Sequence, residues 1–226
     1  MPGLPCTASY AISARAVGLA IGDLDPAEDS PEEAWGTGST SSGTEVTVRG
    51  MILTEPPLDG TEAETLIGSL ERQRRTFIWK AGGLDRAGLG ATAPAGTMTL
   101  GGLIKHLALV EDMYFSIRLG REPAALWRGV DWDAEPDWAW RSAADDSPAE
   151  LYALWHDCAA RSRTNLAAAL ERDGLDQPAG DTGPDGRAPR LRRVLIDVIE
   201  EYARHTGHAD LLREAVDGLT GEDPPI

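Results

Sequence analysis

The stretch from Leu191 to Val216 reads LRRVLIDVIEEYARHTGHADLLREAV, and within it Leu191, Leu195, Val198, Tyr202, His205, Ala209 and Leu212 recur at alternating steps of four and three. That spacing lays the side chains along one stripe of an α-helix, the seam by which a helix packs in a bundle. Gly218 stands just past the run, where such a helix takes a left-handed cap. The stripe is mostly apolar, yet it contains His205, with His208 nearly one turn on and Glu201 one turn back.

Outward from this seam, three more segments carry the helical period. Thr61-Glu62-Ala63-Glu64 is a capping box, followed by Leu66, Leu70, Phe77 and Ile78 and stopped by Gly82-Gly83. A second helix is expected from Thr97 or Thr99 to about Leu119, with Leu103, His106, Val110, Met113 and Ile117 on one stripe. A third opens at Ser147-Pro148-Ala149-Glu150 and carries Leu151, Leu154, Cys158, Leu166 and Leu170 towards Gly174. No strand pattern interrupts residues 61–218, so the fold class expected is all-α, a four-helix bundle. Residues 120–146 are too long for a tight hairpin and are expected to cross the bundle. This crossover holds Trp127, Trp132, Trp138 and Trp140, which either staple it to the helices or wall a ligand pocket.

Among 226 residues, 21 Lys+Arg stand against 37 Asp+Glu, a net charge of −16. An acidic chain is a poor partner for phosphate backbones and for anionic membrane surfaces. No apolar run approaches the roughly 20 residues that span a bilayer. Cys6 and Cys158 cannot make a disulfide framework, and a soluble cytoplasmic protein is expected. Residues 10–22 are fairly apolar, but Arg15 interrupts them and no basic residue precedes them, the reverse of a secretory signal. An acidic run and a Gly/Ser/Thr-rich piece through residues 36–44 follow. Residues 1–50 are therefore expected to be a poorly ordered extension and 51–226 the bundle, with Met51 a candidate start.

The histidines carry the chemistry. Two imidazoles nearly one turn apart on a helix can chelate one ion, and a third from a facing helix closes the set while leaving positions open. His106, His205 and His208 offer that pattern, with Glu201 as a further ligand or as an orienter. The other reading is that they are hydrogen-bonded core histidines. Gly207, costing about 1 kcal/mol inside a helix, suggests a close approach by a helix or ligand. His156, beside Asp157, and Cys158 read as structural residues, and Arg204 and Arg213 as helix-surface charges within reach of an anionic group. No Walker motif, Rossmann fingerprint, nucleophile elbow or CxxC pair is present.

At these residues the chain resembles a family. MTLGGLIKHLALVE, from Met98 to Glu111, resembles the second helix of DinB/YfiT-like proteins, and more narrowly their actinobacterial mini-circle branch. VDWDAEPDW, from Val130 to Trp138, and RHTGHADLLRE, from Arg204 to Glu214, are similar to the same branch, the last being the most specific. The likeness covers about residues 55–221. It implies a bundle with a long crossover and a divalent-metal site, zinc first with nickel or iron as alternatives, built from the second and last helices. It also implies a thiol S-transferase joining a low-molecular-weight thiol such as mycothiol or bacillithiol to an electrophilic small molecule; a mycothiol-dependent maleylpyruvate isomerase is among the relatives. The rivals are a metal-dependent hydrolase or isomerase, and a non-enzymatic stress protein that binds metal or a small molecule; a homodimer is compatible with each.

His106 matches the ligand of the family's second helix, and His205 and His208 match the histidine pair of its last. Much of the superfamily spaces that pair four apart; here it is three apart, and the residue four before His208 is Arg204, which cannot ligate. The isomerase-like relatives use Glu-x-x-x-His, which Glu201 and His205 satisfy. The resemblance thus implies His106/His205/His208 as the first ligand set and His106/Glu201/His205 as the second.

Overall fold

Four capped helices set the frame in the computed structural model, which describes residues 36–37, 46–47, 55–93, 96–180, 182 and 185–222. Helix α1 spans Glu62–Ala81, α3 Leu100–Phe115, α5 Pro148–Asp173 and α6 Leu191–Asp217, with the single-turn helices α2 (Arg86–Gly90) and α4 (Trp138–Ser142) between them. The capping boxes close as the sequence requires: Glu64 N–H donates to Thr61 Oγ1 while Thr61 N–H donates to Glu64, and Ser147 and Glu150 repeat the pattern. Gly218 ends α6 with φ +79°, a left-handed conformation that glycine adopts without steric cost.

The second helix departs slightly from expectation. Its α-helical part stops at Phe115 and its last turn, Ile117–Leu119, is 3-10. Ser116 Oγ donates to Asp112 at 3.0 Å, and Arg121 N–H donates to Ser116 O, drawing the end of the helix tight. A five-residue helix is little more than one turn, too short for an apolar repeat to recur, which is why α2 and α4 leave no mark in the apolar pattern.

Helices α3 and α5 pack along their length, as do α1 and α6, and a looser α3–α6 seam joins the two pairs. Leu70, Phe77, Leu103, Leu107, Phe115, Leu195 and Val198 fill the interior with no exposed surface. Polar groups are also buried there. Arg74, 1% exposed, lays its guanidinium on Glu111, 0% exposed, with Nε–Oε1 at 2.8 Å and Nη2–Oε2 at 2.6 Å. Tyr202 donates to Glu111 at 2.6 Å and accepts from Trp155 Nε1 at 2.9 Å. This network ties α1, α3, α5 and α6 together in one register.

The crossover does cross, and Asp112 pins it. This buried carboxylate accepts from Ala124 N at 2.8 Å, Trp127 Nε1 at 2.9 Å and the Arg161 guanidinium at 3.0 and 3.1 Å. Burial alone would raise its pKa, but these donors, Arg161 first, hold it below the ordinary value. Trp127 is buried; Trp132 and Trp138 are half-buried and meet it and each other at 6.1–6.5 Å between ring centroids. Lys105, also buried, reaches Asp146 at 2.5 Å and lies 4.6 Å over the Trp138 ring. Cys158 packs in the core with Asp112 and Arg161 at its sulfur, and burial pushes its thiol pKa well up, which favours the thiol over the thiolate.

Two sequence expectations are corrected. Arg213 is not a surface charge: it is 9% exposed, and its Nη1 donates to the carbonyls of Lys80 and Gly82, closing the C-terminus of α1. Gly207 marks no close approach of another helix, because a Cβ there would meet no protein atom within 4 Å. The expectation for residues 1–50 lies outside the described residues, apart from an antiparallel two-residue pairing of β1 (Gly36–Thr37) with β2 (Val46–Thr47).

Candidate metal centre

The α3–α6 seam opens where α3 carries His106 and α6 carries Glu201 and His205. On α6 these two residues are four apart and so share a face; the antiparallel helix pairing brings His106 against them. Nitrogens of His106 and His205 and a Glu201 oxygen all lie within 4.8 Å of one another. Glu201 Oε2 is 3.3 Å from His205 Nε2 and 3.7 Å from His106 Nε2. Ligands placed about 2.0–2.1 Å from one tetrahedral ion stand roughly 3.3 Å apart, so the triangle has the size of a coordination sphere.

His106 Nε2 is buried and has no hydrogen-bond partner, since 3.7 Å to Glu201 is beyond hydrogen-bond reach. A buried nitrogen left this way is costly unless something else takes it. A cation between the imidazoles and the carboxylate would satisfy all three groups, and two nitrogens with one oxygen are a donor set for zinc, nickel or iron. The residues present therefore fit a divalent metal.

The electrostatics agree. Burial pushes the His106 pKa down, against the opposing pull of Glu201, so the ring is neutral and able to ligate at pH 7. The imidazoles of His106 and His205 hold the Glu201 carboxyl well below the usual carboxylate range. His208 is half-buried, and burial followed by the nearby His205 and Arg204 lowers its pKa as well.

His208 reaches the cluster only through His205, with Nδ1 to Nδ1 at 3.2 Å. With Nε2 of His205 facing Glu201, its Nδ1 is the nitrogen that meets His208, so the second ring nitrogen has a neighbour that can hold the imidazole in place. Of the residues singled out in the sequence, His106, Glu201 and His205 form the triangle and His208 stands behind it. His156 lies apart on α5, its ring edge-on to Trp155 at 5.0 Å. Arg204 is exposed and contacts Glu201 at 3.3 Å.

Trp140 belongs to the site, a placement the sequence left open. Its ring stacks on His106 at 4.5 Å and 20° and lies 5.6 Å from His205. The same indole lines a cavity of about 670 Å³ with Arg86, Met98, Asp137, Arg141 and Leu151. The one sequence signal was the glycine pair Gly101-Gly102 on the turn before His106.

Against known proteins, the chain matches the family model described as mycothiol-S-transferase over residues 65–218, a DinB-like family. That span runs from the first turn of α1 to the cap of α6 and includes His106, Glu201, His205 and His208. No curated protein matches the chain. Among the described residues, no helix is long and apolar enough to cross a membrane.

Proposed function

The chain belongs to the mycothiol S-transferase family, and on that premise we propose that it joins a low-molecular-weight thiol of the mycothiol type to an electrophilic small molecule at a divalent-metal centre. The ligand set is His106 and His205 through Nε2 and Glu201 through Oε2, with zinc the first choice of ion. The observation that carries this reading is the buried, unpartnered Nε2 of His106 facing a carboxylate and a second imidazole at coordination distance. When bound, the ion supplies a Lewis acid that favours the thiolate form of a thiol.

The chain's own residues do the rest. His208 contacts Nδ1 of His205 and keeps its Nε2 turned to the site. Glu201 stays ionised across the physiological range and offsets the positive charge of a cation. The Trp140 indole closes one side of the site against water, and the cavity it lines under the crossover is the space for the electrophile. Low-molecular-weight thiols are kept reduced in the cytoplasm, and we place the activity there.

The test is metal analysis of protein purified without an affinity tag, followed by turnover of mycothiol with a panel of electrophiles. We expect close to one divalent ion per chain, and loss of ion and turnover in a His106→Ala protein that keeps its helical circular dichroism. Turnover that persists without thiol would replace the transferase with a hydrolase or isomerase. Stoichiometric metal with no turnover of any substrate would make it a binding protein.

A further inference from the structure

Gly102 lies one turn before His106 on α3, and Trp140 reaches over both from α4. A Cβ built on Gly102 would come within 3.0 Å of Trp140 Cε3 and 3.1 Å of Thr99 Oγ1, the hydroxyl that caps α3. Contacts that short require a neighbour to move by a few tenths of an ångström. The glycine thus leaves room for the indole to lie flat along the helix, and at this height it covers the His106 ring nearly in parallel. A histidine side chain turns about χ1 and χ2, and a stacked indole fixes the plane of the ring and so restricts the χ2 rotation that aims its Nε2.

The segment bearing Trp140 is itself clamped. Lys105, beside His106 in the chain, pairs with Asp146 past the end of α4, and Arg86 donates to the carbonyl of Ala144 at 2.8 Å. His205 is held from the other side by His208. Each imidazole of the triangle therefore has one neighbour that orients it: a hydrogen bond for His205 and a ring for His106.

We propose that Trp140 is a positioning residue of the centre: admitted to α3 by Gly102, its indole holds the His106 imidazole with Nε2 towards Glu201 and His205. This rests on the metal reading above for its consequence, but the orientation exists without an ion and can be measured without one. Neither Gly102 nor Trp140 supplies a ligand atom; Trp140 stacks on His106 at 4.5 Å and lies farther from His205, at 5.6 Å, so an effect of either on metal binding acts through the orientation of the imidazoles, His106 foremost.

Zinc affinity by chelator competition and the visible spectrum of the cobalt-substituted protein are compared for the parent, Trp140→Ala, Trp140→Phe and Gly102→Ala. Trp140→Ala and Gly102→Ala should each lose about tenfold or more in affinity, the size typical of residues that orient a ligand, and the cobalt bands should shift. Trp140→Phe, which keeps a ring over His106, should recover most of the loss. Alanine is the better helix former, so Gly102→Ala should lose affinity while its Tm stays within a few degrees of the parent. Parent-like affinity and cobalt spectrum in both alanine variants would overturn the inference and leave the metal reading standing. If the parent binds no ion, the metal reading fails by itself. The inference is then decided in the metal-free protein by nuclear Overhauser contacts between the His106 and His205 ring protons, expected in the parent and lost in both alanine variants; their retention overturns it.

Discussion

Two polar clusters sit in the same bundle, and they differ in what they leave undone. At Arg74, Glu111, Tyr202 and Trp155, both carboxylate oxygens, the phenol and the indole N–H find partners inside the protein, at 2.6–2.9 Å. At His106, Glu201 and His205, one buried nitrogen has no hydrogen-bond partner, and a Glu201 oxygen stands 3.3 and 3.7 Å from the two imidazoles. The saturated cluster is almost free of solvent, with Arg74 and Glu111 at 1% and 0% exposure, whereas the side chains of His106 and Glu201 keep 20% and 26%. A cluster that satisfies itself holds helices in register. One that does not, and can be reached, is a place for something to bind.

The comparison breaks most visibly at Glu111. Glu111→Ala leaves Arg74 buried with only Glu71 beside it, and breaking such a pair costs about 3–5 kcal/mol. For a domain of this size that lowers Tm by roughly 10 °C, to be read by calorimetry, while the His106–Glu201–His205 triangle is untouched. His205→Ala should do the reverse: a modest change in the metal-free Tm, and loss of the rise that zinc gives the parent. That rise is about 2.7 kcal/mol when zinc exceeds its Kd a hundredfold, or some 5–10 °C.

The ligand set is sharpened by ranking two variants. Glu201→Gln should cost more zinc affinity than His208→Ala, whose loss should stay near the 10–100-fold typical of a group that orients a ligand. The opposite ranking would favour His106/His205/His208. Acid should weaken this cluster first. His106 titrates below its ordinary value of 6.5 in the folded protein, so the unfolded chain takes up the proton first and stability falls as pH drops below about 6.5. Glu201, held below its ordinary 4.5, adds a further loss as pH passes under that value. In titrations of metal-free protein followed by Tm, His106→Gln should flatten the upper part of the profile.

Smaller effects lie outside both clusters. Gly207 is exposed with open space at its Cβ position, so Gly207→Ala should stabilise α6 by up to about 1 kcal/mol and raise Tm by about 2–4 °C with zinc affinity unchanged. A chain begun at Met51 should match the full chain in metal content, with Tm lower by less than about 4 °C; a larger drop would place part of residues 1–50 in the bundle.

The sequence by itself determined the four long helices, because caps and apolar period are local and act within a few residues. Thr61/Glu64, Ser147/Glu150 and Gly218 mark the ends, and the Leu191–Leu212 stripe faces the core as its spacing demands. It also marked Glu201, His205 and His208 as a group, since residues three and four apart share a helix face whatever the packing, and the family resemblance of the second helix added His106. Only the tertiary structure decided which of them meet. The rotation of α6 against α3 turns His205 Nε2 and Glu201 towards His106 and leaves His208 on the far nitrogen of His205, and no spacing within one helix carries that angle. The same holds for Trp140 over His106, Asp112 under the crossover, and Arg213 at the end of α1. Each joins residues of different elements, from 12 to 133 positions apart, and for each the sequence shows a residue type without the distance at which it finds its partner.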